Sequence, residues 1–508
     1  MFLLWLVFFS VLGLYYASQL VRGIRKQNLT HIQEVLAELG ITDTHTGRKI
    51  VGFFHPYCNA GGGGERVLWT AVALNQRTEP DIVNIIYSGD TDASKEDIIL
   101  KVKARFDIEL SPNTLHFIFL HKRYLIESTT WPRFTLLGQS IGSMVLAWEA
   151  MSKLIPDLFI DTMGYAFTFH VVRWVGGVHI GAYVHYPTIS TDMLERVKSR
   201  KEWHTNSNAI SSSSFLSGLK LIYYRVFMYY YAYSLRQASF VMVNSRWTKN
   251  HVDSILRHSD PLLDLIHAFT PLAILKIWSL LTGVSSPDSA QIVYPPCDAK
   301  EMAKFPLEGR ERVIMSLAQF RPEKDHAAQL HAFQTLLKTH PEYQRSGEKQ
   351  VRLVLIGGSR DAGDAARVES LKSLAKELGI EANVQFIVNA SYAEMLKWLS
   401  LASIGLSTMV DEHFGINVVE LMAAGVIPIT HASGGPLHDI VVPYDGKPTG
   451  YHATTPESFA QALHEALTLP PEEEVALRRR ARTWAIQRFS QHEFELAWNA
   501  SGWKDWIS

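Results

Sequence analysis

The feature that most constrains this chain is an alternation of short apolar runs with longer helix-like segments, which occurs in two blocks. The first block contains "KIVGFFHPYC", "DIVNIIYSG", "PDLFIDTMG", "VHIGAYVHYP" and "ASFVMVNS", and the second contains "RVIMSLAQF", "VRLVLIGGS", "NVQFIVNA", "IGLSTMV" and "VIPITHA". Runs that are apolar throughout and separated by helices indicate parallel strands covered on both faces. The alternation therefore predicts the α/β class, with two doubly wound domains.

The domain organisation follows from the point where this pattern restarts. A chain of 508 residues is too long for one ordinary core. We expect Rossmann-like domains over residues 49–300 and 301–480, with a helical segment over 481–508 that crosses back to the first domain. Because ligands of such sheets bind beyond the carboxyl ends of the strands, a cleft between the two domains is the expected site.

Charge and cysteine content exclude some classes of function. A net charge of −1 and a pI near 7.1 give no support to nucleic-acid binding. The two cysteines, Cys58 and Cys297, lie far apart and lack metal-like spacing. They exclude a disulfide framework and favour a reducing compartment.

The N-terminus is unusually apolar. Residues 2–21 carry no charge, and Arg22, Arg25 and Lys26 follow directly. This predicts a single transmembrane anchor over residues 1–22 and a linker over 23–48, with the rest of the chain in the cytosol. A cleaved signal peptide is the alternative, but the basic residues that open such a peptide are missing.

Two further apolar stretches, residues 215–235 and 262–282, are rich in leucine and aromatic residues. They are either core helices or membrane-facing segments that lie on a bilayer surface. A second full span is disfavoured because charges such as Lys220 and Asp264 would be costly in hydrocarbon.

Four consecutive glycines follow the first predicted strand: Gly61, Gly62, Gly63 and Gly64. Glycines let backbone N–H groups approach a ligand closely, and the following helix N-terminus favours an anion. The motif matches no standard phosphate loop, so a flexible turn is an equal alternative.

The "GDTD" stretch offers a second, weaker candidate. Asp90 and Asp92 follow a strand and could hold a divalent ion on a nucleotide diphosphate. Aspartate and threonine also favour ordinary turns, and we prefer that interpretation.

The stretch "DEHFGINVVELMAAG" places Glu412 and Glu420 eight positions apart. Gly415 permits a tight turn, and Ile416 to Ala424 is typical of a helix whose N-terminus can receive a phosphate. Carboxylates accept strong hydrogen bonds from vicinal diols, and a nucleotide-sugar has a diol on each side of its diphosphate. The alternative is a charge at a helix N-terminus and a solvated Glu420.

Glu-x7-Glu in the second of two doubly wound domains resembles the retaining glycosyltransferases of the GT-B fold, a family that includes sucrose-synthase-like enzymes and lipid-linked mannosyltransferases. The resemblance implies that Glu412 faces the donor hexose, Glu420 holds the ribose and the glycine loop contacts the donor. It also places His185, in "YVHYP", near the hexose. Backbone N–H groups over the sugar and phosphate would come from His413, Phe414, Gly415 and Ile416.

One position departs from the family's pattern. The family has Gly-Arg, with a lysine five residues after the arginine, to grip the diphosphate. In "AQFRPEKDH" Lys324 is kept, but Gln319 replaces the arginine and Arg321 lies two residues later. We expect Lys324 and Arg321 to stabilise the leaving diphosphate, and we expect neither a metal ion nor a cofactor in the chemical step.

Within this family, "GGGGERVLWTAV", "YVHYPTIS", "SRWTKNH" and "VYPPCD" resemble lipid-linked mannosyltransferases of the endoplasmic reticulum membrane. The resemblance implies GDP-mannose as donor and a dolichol-pyrophosphate-linked oligosaccharide as acceptor. Further partners would be membrane lipid and other mannosyltransferases of the same pathway. A UDP-sugar transferase of the same fold and a catalytically inactive scaffold are the alternatives.

Overall fold

The computed structural model describes most of the chain, namely residues 2–41, 47–189, 214–268, 286–344 and 347–507. The chain divides into two compact units. Unit 1 is formed by Met1–Asn244, Thr248–Val293 and Glu495–Ser508, and unit 2 by Ser245–Trp247 and Tyr294–Phe494.

Unit 1 is built on a parallel sheet with the strand order β3-β2-β1-β4-β5-β6-β7. Its central strands are buried along their whole length, as expected for strands covered on both faces. The strands are β1 (Ile50–Phe54), β2 (Val83–Ser88), β3 (Leu115–Phe119), β4 (Leu158–Asp161), β5 (His179–Val184), β6 (Phe240–Val243) and β7 (Gln291–Ile292).

The helices up to residue 268 connect or flank these strands. They are α1 (Phe2–Glu38), α2 (Gly63–Thr78), α3 (Lys95–Phe106), α4 (Thr135–Lys153), α5 (Thr168–Val171), α6 (Ser214–Leu235), α7 (Arg246–Leu256) and α8 (Pro261–Ala268). In the C-terminal segment of unit 1, Trp498 is fully buried, and its ring lies 6.5 Å from that of Phe53.

Unit 2 repeats the architecture with a parallel sheet in the order β10-β9-β8-β11-β12-β13. Its strands are β8 (Glu311–Leu317), β9 (Arg352–Gly357), β10 (Val384–Val388), β11 (Ala402–Ser407), β12 (Ile427–His431) and β13 (Tyr451–Ala453). The helices after residue 300 are α9 (His326–Thr339), α10 (Ala362–Glu377), α11 (Tyr392–Leu401), α12 (Ile416–Ala423), α13 (Pro456–Leu467), α14 (Pro471–Phe489) and α15 (Gln491–Ala500). The two doubly wound sheets confirm the predicted fold class.

The N-terminal helix differs in extent from the prediction. Residues 23–48 were expected to be a linker, but α1 is continuous through Glu38. Its second half packs on unit 1: the Arg25 side chain donates to the carbonyl of Val175 at 2.7 Å, and Asn28 Nδ2 donates to the carbonyl of Ile155 at 3.0 Å. These contacts explain why the helix persists beyond the apolar stretch.

A membrane span is not seen among the described residues. No helix in that part of the chain has the length and apolar character needed to cross a bilayer. The predicted anchor over residues 1–22 is therefore unsupported by the structure and stays a prediction. Of the predicted membrane-facing insertion around 215–282, α6 and α8 are described, and residues 269–282 lie outside the described residues.

Candidate active site

Both sheets have a point where the strand order reverses, between β1 and β4 in unit 1 and between β8 and β11 in unit 2. In open parallel sheets, ligands bind outside the carboxyl ends of the strands at this point. His55 directly follows β1, Asp161 ends β4, and Thr408 directly follows β11. Each unit therefore offers polar side chains at its own switch point.

In unit 2 the structure brings two of the predicted residues together. Lys324 Nζ forms an ion pair with Glu412 Oε2, and the two side chains are only 20% and 11% exposed. Thr408 holds the lysine turn in place, because its hydroxyl lies 2.9 Å from the carbonyl oxygen of Asp325 and 3.1 Å from that of Lys324. Gln329 Nε2 in turn donates to the Thr408 hydroxyl at 3.1 Å.

The loop between β11 and α12 depends on glycines from two parts of unit 2. Gly415 has φ of 103° at the start of α12, a conformation that L side chains rarely adopt. Gly435 N–H donates to the carbonyl of Glu412 at 2.7 Å. A Cβ atom at Gly434 would lie 2.2 Å from the same carbonyl oxygen. The loop after β12 therefore fixes the backbone that carries Glu412.

The other residues predicted around this turn occupy distinct positions. The side chain of Phe414 is buried and packs against Tyr294, so a contact with a donor would have to use its backbone. The His413 ring stacks on Trp247 with 5.3 Å between the centroids. Glu420, half-buried, is the fifth residue of α12 and therefore lies just over one turn inside the helix.

Arg321 is placed differently from Lys324. Its guanidinium lies 3.7 Å from Glu323, within the same turn. The described contacts thus pair Lys324 with a predicted site residue and pair Arg321 with a local carboxylate. The suggested replacement of the family's diphosphate-binding arginine by Arg321 stays a prediction.

In unit 1 the glycine loop meets the predicted histidine. Gly61 has φ of 81°, and Gly62 is the N-cap of α2. A Cβ atom at Gly64 would lie 3.5 Å from His185 Nε2 and 3.9 Å from His55 Cε1. These are ordinary van der Waals distances, so the start of α2 lies against both imidazole rings at position 64.

His55 belongs to a group that the sequence analysis missed. Its Nδ1 lies 2.7 Å from the Thr162 hydroxyl, and its Nε2 lies 3.6 Å from a carboxylate oxygen of Glu65. Burial opposes ionisation of Glu65, but hydrogen bonding and charge from His55, together with the Gly62 amide, lower the pKa of this carboxyl. A histidine directly after a buried strand was the available signal.

Asp90, the first aspartate of the "GDTD" stretch, has a structural role. Asp90 forms an ion pair with Arg123 and accepts a hydrogen bond of 2.9 Å from the backbone N–H of Asn59. These contacts are those of a residue that fixes a turn.

Asp161, at the carboxyl end of β4, is a second group that the sequence analysis missed. The side chain is fully buried, and Oδ1 accepts the N–H of Met163 at 3.0 Å. Within the described part of the chain, Oδ2 has no hydrogen-bond partner. Burial raises the pKa of this carboxyl to about 7, against the effect of the surrounding amides.

This raised pKa predicts a pH-dependent stability. Folding raises the pKa above its ordinary value of 3.8, so the folded protein binds more protons than the unfolded chain between that value and about 7. The contribution of Asp161 to the free energy of unfolding should therefore fall as pH rises through this window, by about 1 kcal/mol per pH unit. Asp161→Asn should flatten the fall in melting temperature between about pH 4 and about pH 7. The exposed Asp92→Asn serves as control, and equal slopes in all three proteins would contradict the interpretation.

Comparison with solved structures agrees with this architecture. An alpha,alpha-trehalose 6-phosphate synthase from Burkholderia multivorans superposes with a TM-score of 0.60, covering 90% of this chain and 98% of that chain at 14% identity. Residues 298–484 match the family "Glycosyl transferases group 1". The two sheets, this superposition and the family match thus show the GT-B glycosyltransferase fold.

Closer relatives narrow the family. Residues 48–256 match "ALG11 mannosyltransferase N-terminus". A Xenopus laevis protein named GDP-Man:Man(3)GlcNAc(2)-PP-Dol alpha-1,2-mannosyltransferase is 46% identical, covering 89% of this chain and 87% of its own. A Mus musculus protein of the same name is 43% identical, covering 93% and 90%. The chain belongs to the GDP-Man:Man(3)GlcNAc(2)-PP-Dol alpha-1,2-mannosyltransferase family and is an enzyme.

Proposed function

We propose that this enzyme transfers mannose from GDP-mannose, in α-1,2 linkage, to the dolichol-pyrophosphate-linked Man3GlcNAc2 core, adding the fourth and fifth mannoses. The observation that carries the proposal is the similarity of nearly the whole chain to relatives with that printed name. The reaction would take place on the cytosolic face of the endoplasmic reticulum, with residues 1–22 as anchor and the configuration at the anomeric carbon retained.

Unit 2 supplies groups suited to the donor. We assign Glu412 to the hydroxyls of the mannose and Glu420 to the ribose diol, because both carboxylates flank the start of α12. The N-terminus of α12 favours the diphosphate. Lys324 would neutralise charge on the leaving diphosphate, and its ion pair with Glu412 keeps this cation beside the sugar-binding carboxylate.

Unit 1 supplies His185 and the glycine loop, which face one another through Gly64. We assign His185 to the mannose hydroxyls. In the proposed front-face reaction the acceptor oxygen bonds to the anomeric carbon as the bond to the diphosphate oxygen breaks, and the acceptor proton passes to that leaving oxygen. Preorganised charge would stabilise the oxocarbenium-like transition state without a dedicated protein base, metal ion or cofactor.

A single assay tests the donor, the linkage and the orientation. Sealed microsomes containing the protein and the dolichol-linked Man3GlcNAc2 acceptor receive labelled GDP-mannose or UDP-glucose from outside. We expect two mannoses to be added from GDP-mannose, both removable by an α-1,2-specific mannosidase. Transfer from UDP-glucose would instead support a different transferase of this fold. Transfer that requires detergent would contradict a cytosolic active site.

A further inference from the structure

Helices α4 and α6 of unit 1 enclose an apolar groove with a volume of about 270 Å³. Leu137, Ile141 and Met144 line it from α4, at a spacing that places them on one helix face. Tyr223, Phe227 and Tyr230 line it from α6 at the same spacing. The Tyr223 hydroxyl oxygen accepts the N–H of Leu137 at 3.2 Å, so this polar atom is already engaged.

The mouth of this groove carries exposed apolar side chains. Ile141 is 50% exposed and Phe134 is 68% exposed. Phe134 also adopts a left-handed conformation, with φ of 53°, at the start of α4. That conformation is costly for a bulky residue, and such strain concentrates where a ligand is held. The Phe134 ring makes an edge contact of 5.8 Å with Tyr223, which places it at the entrance.

Two basic residues lie close in sequence to the residues that border this groove. Arg133 precedes Phe134, and Lys220 lies one turn before Tyr223 on α6. Residues 131–148 and 214–235 contain no aspartate or glutamate. The remaining cation of α6, Arg225, is already held by both carboxylate oxygens of Asp260. The groove thus has an apolar interior, and the two segments that line it carry basic residues but no acidic ones, which favours an anionic group at this end.

We propose that this groove binds the polyprenyl chain of the acceptor at the end that carries the pyrophosphate. The inference rests on the proposed function, since it takes its ligand from the lipid-linked acceptor. A single chain with an anionic head matches the apolar interior and the basic residues of the segments that line it. The volume is near the lower end for ligand sites and therefore fits a short stretch of chain. The groove is concave, whereas a bilayer surface would be met by a convex apolar face.

The test uses Ile141→Asn, which introduces a polar group at a half-exposed groove position, with Ile141→Leu as the conservative variant. Leu100→Asn on α3, where Leu100 is 69% exposed, is the matched control. Transfer is measured in detergent micelles with the Man3GlcNAc2 pyrophosphate linked either to dolichol or to a methyl group. Ile141→Asn should raise KM for the dolichyl acceptor roughly tenfold. We expect unchanged KM values for the methyl acceptor and for GDP-mannose, and wild-type values for Ile141→Leu and Leu100→Asn.

A direct binding measurement separates this inference from the proposed function. Farnesyl phosphate bearing a diazirine should label residues within 134–144 and 219–230 of the wild-type protein, and Ile141→Asn should reduce the labelling. Labelling elsewhere, or an equal KM increase for both acceptors, would overturn the groove assignment. The groove assignment would also be overturned if Ile141→Asn weakened binding to acceptor-free vesicles but left the KM for the dolichyl acceptor in micelles unchanged. That result would show that the groove contacts the bilayer. Failure of the wild-type protein to use GDP-mannose, with groove labelling intact, would overturn only the proposed function.

Discussion

Replacing Glu412 by glutamine is expected to lower kcat with GDP-mannose by roughly 10- to 1,000-fold while the affinity for GDP hardly changes. The substitution keeps the shape of the side chain but removes the charge that pairs with Lys324 and would accept hydrogen bonds from the reacting sugar. An interaction made mainly with the sugar affects turnover more than nucleotide binding. Calorimetry with GDP, followed by kinetics with the complete donor, measures the two effects separately.

Glu420→Gln is the matched comparison, because it makes the same chemical change inside α12, whereas Glu412 lies in the loop before that helix. If Glu420 holds the ribose, GDP and GDP-mannose should both bind more weakly, by about 1–3 kcal/mol, the range for losing a charge-assisted hydrogen bond. Equal losses of GDP affinity in both variants would show that the roles are assigned wrongly. Wild-type GDP affinity and kcat in both variants would mean that Glu412 and Glu420 do not bind the donor and only place charge near the N-terminus of α12.

Arg478→Met is expected to reduce the free energy of unfolding by about 2–4 kcal/mol, the largest stability effect that we predict. The Arg478 side chain has no exposed surface. It donates to the carbonyl oxygens of Ser403 at 2.8 Å and Gly425 at 2.7 Å and pairs with Glu474. Methionine fills similar space but leaves two buried carbonyls without their donor. Chemical denaturation, with the transition of unit 2 followed separately, measures the loss.

Arg479→Met provides the control, because Arg479 is the exposed neighbour on α14 and its replacement removes the same charge. That variant should stay within about 0.5 kcal/mol of the wild type. Similar destabilisation by both substitutions would mean that net charge, and not the two buried hydrogen bonds, accounts for the effect. Activity should fall in Arg478→Met only where the protein unfolds.

Arg478 also illustrates what sequence inspection could not find. Arg310 and Arg482 join it in donating to backbone carbonyls at the end of α12, including that of Ala424. Arg478 and Arg482 lie one turn apart on α14 and Arg310 is distant in sequence, and nothing in their local sequence distinguishes them from solvated surface residues. Their role is to satisfy the carbonyl groups left at the C-terminus of the helix that carries Glu420.

Around the candidate site, the structure confirms the predictions of local conformation, and the roles assigned to the side chains stay predictions. Glu412, Glu420 and Gly415 lie within one short motif, and the turn at Gly415 was predicted with the helix that follows it. Thr408 and His55 were missed, because each acts through a contact with a distant residue. The same holds for Gly434, whose lack of a side chain is required by the carbonyl of Glu412.

Local sequence patterns were sufficient to predict the two doubly wound sheets, because wholly apolar runs separated by helices indicate both local conformation and burial. The local sequence also predicted the turn at Gly415 and the helix that follows it. Only the tertiary structure decided that Lys324 pairs with Glu412, 88 residues away, and that His55 meets Thr162, 107 residues away. Both contacts lie where the strand order reverses, so that the carboxyl ends of strands distant in sequence become neighbours. Periodicity along a chain carries no information about which strands will be neighbours.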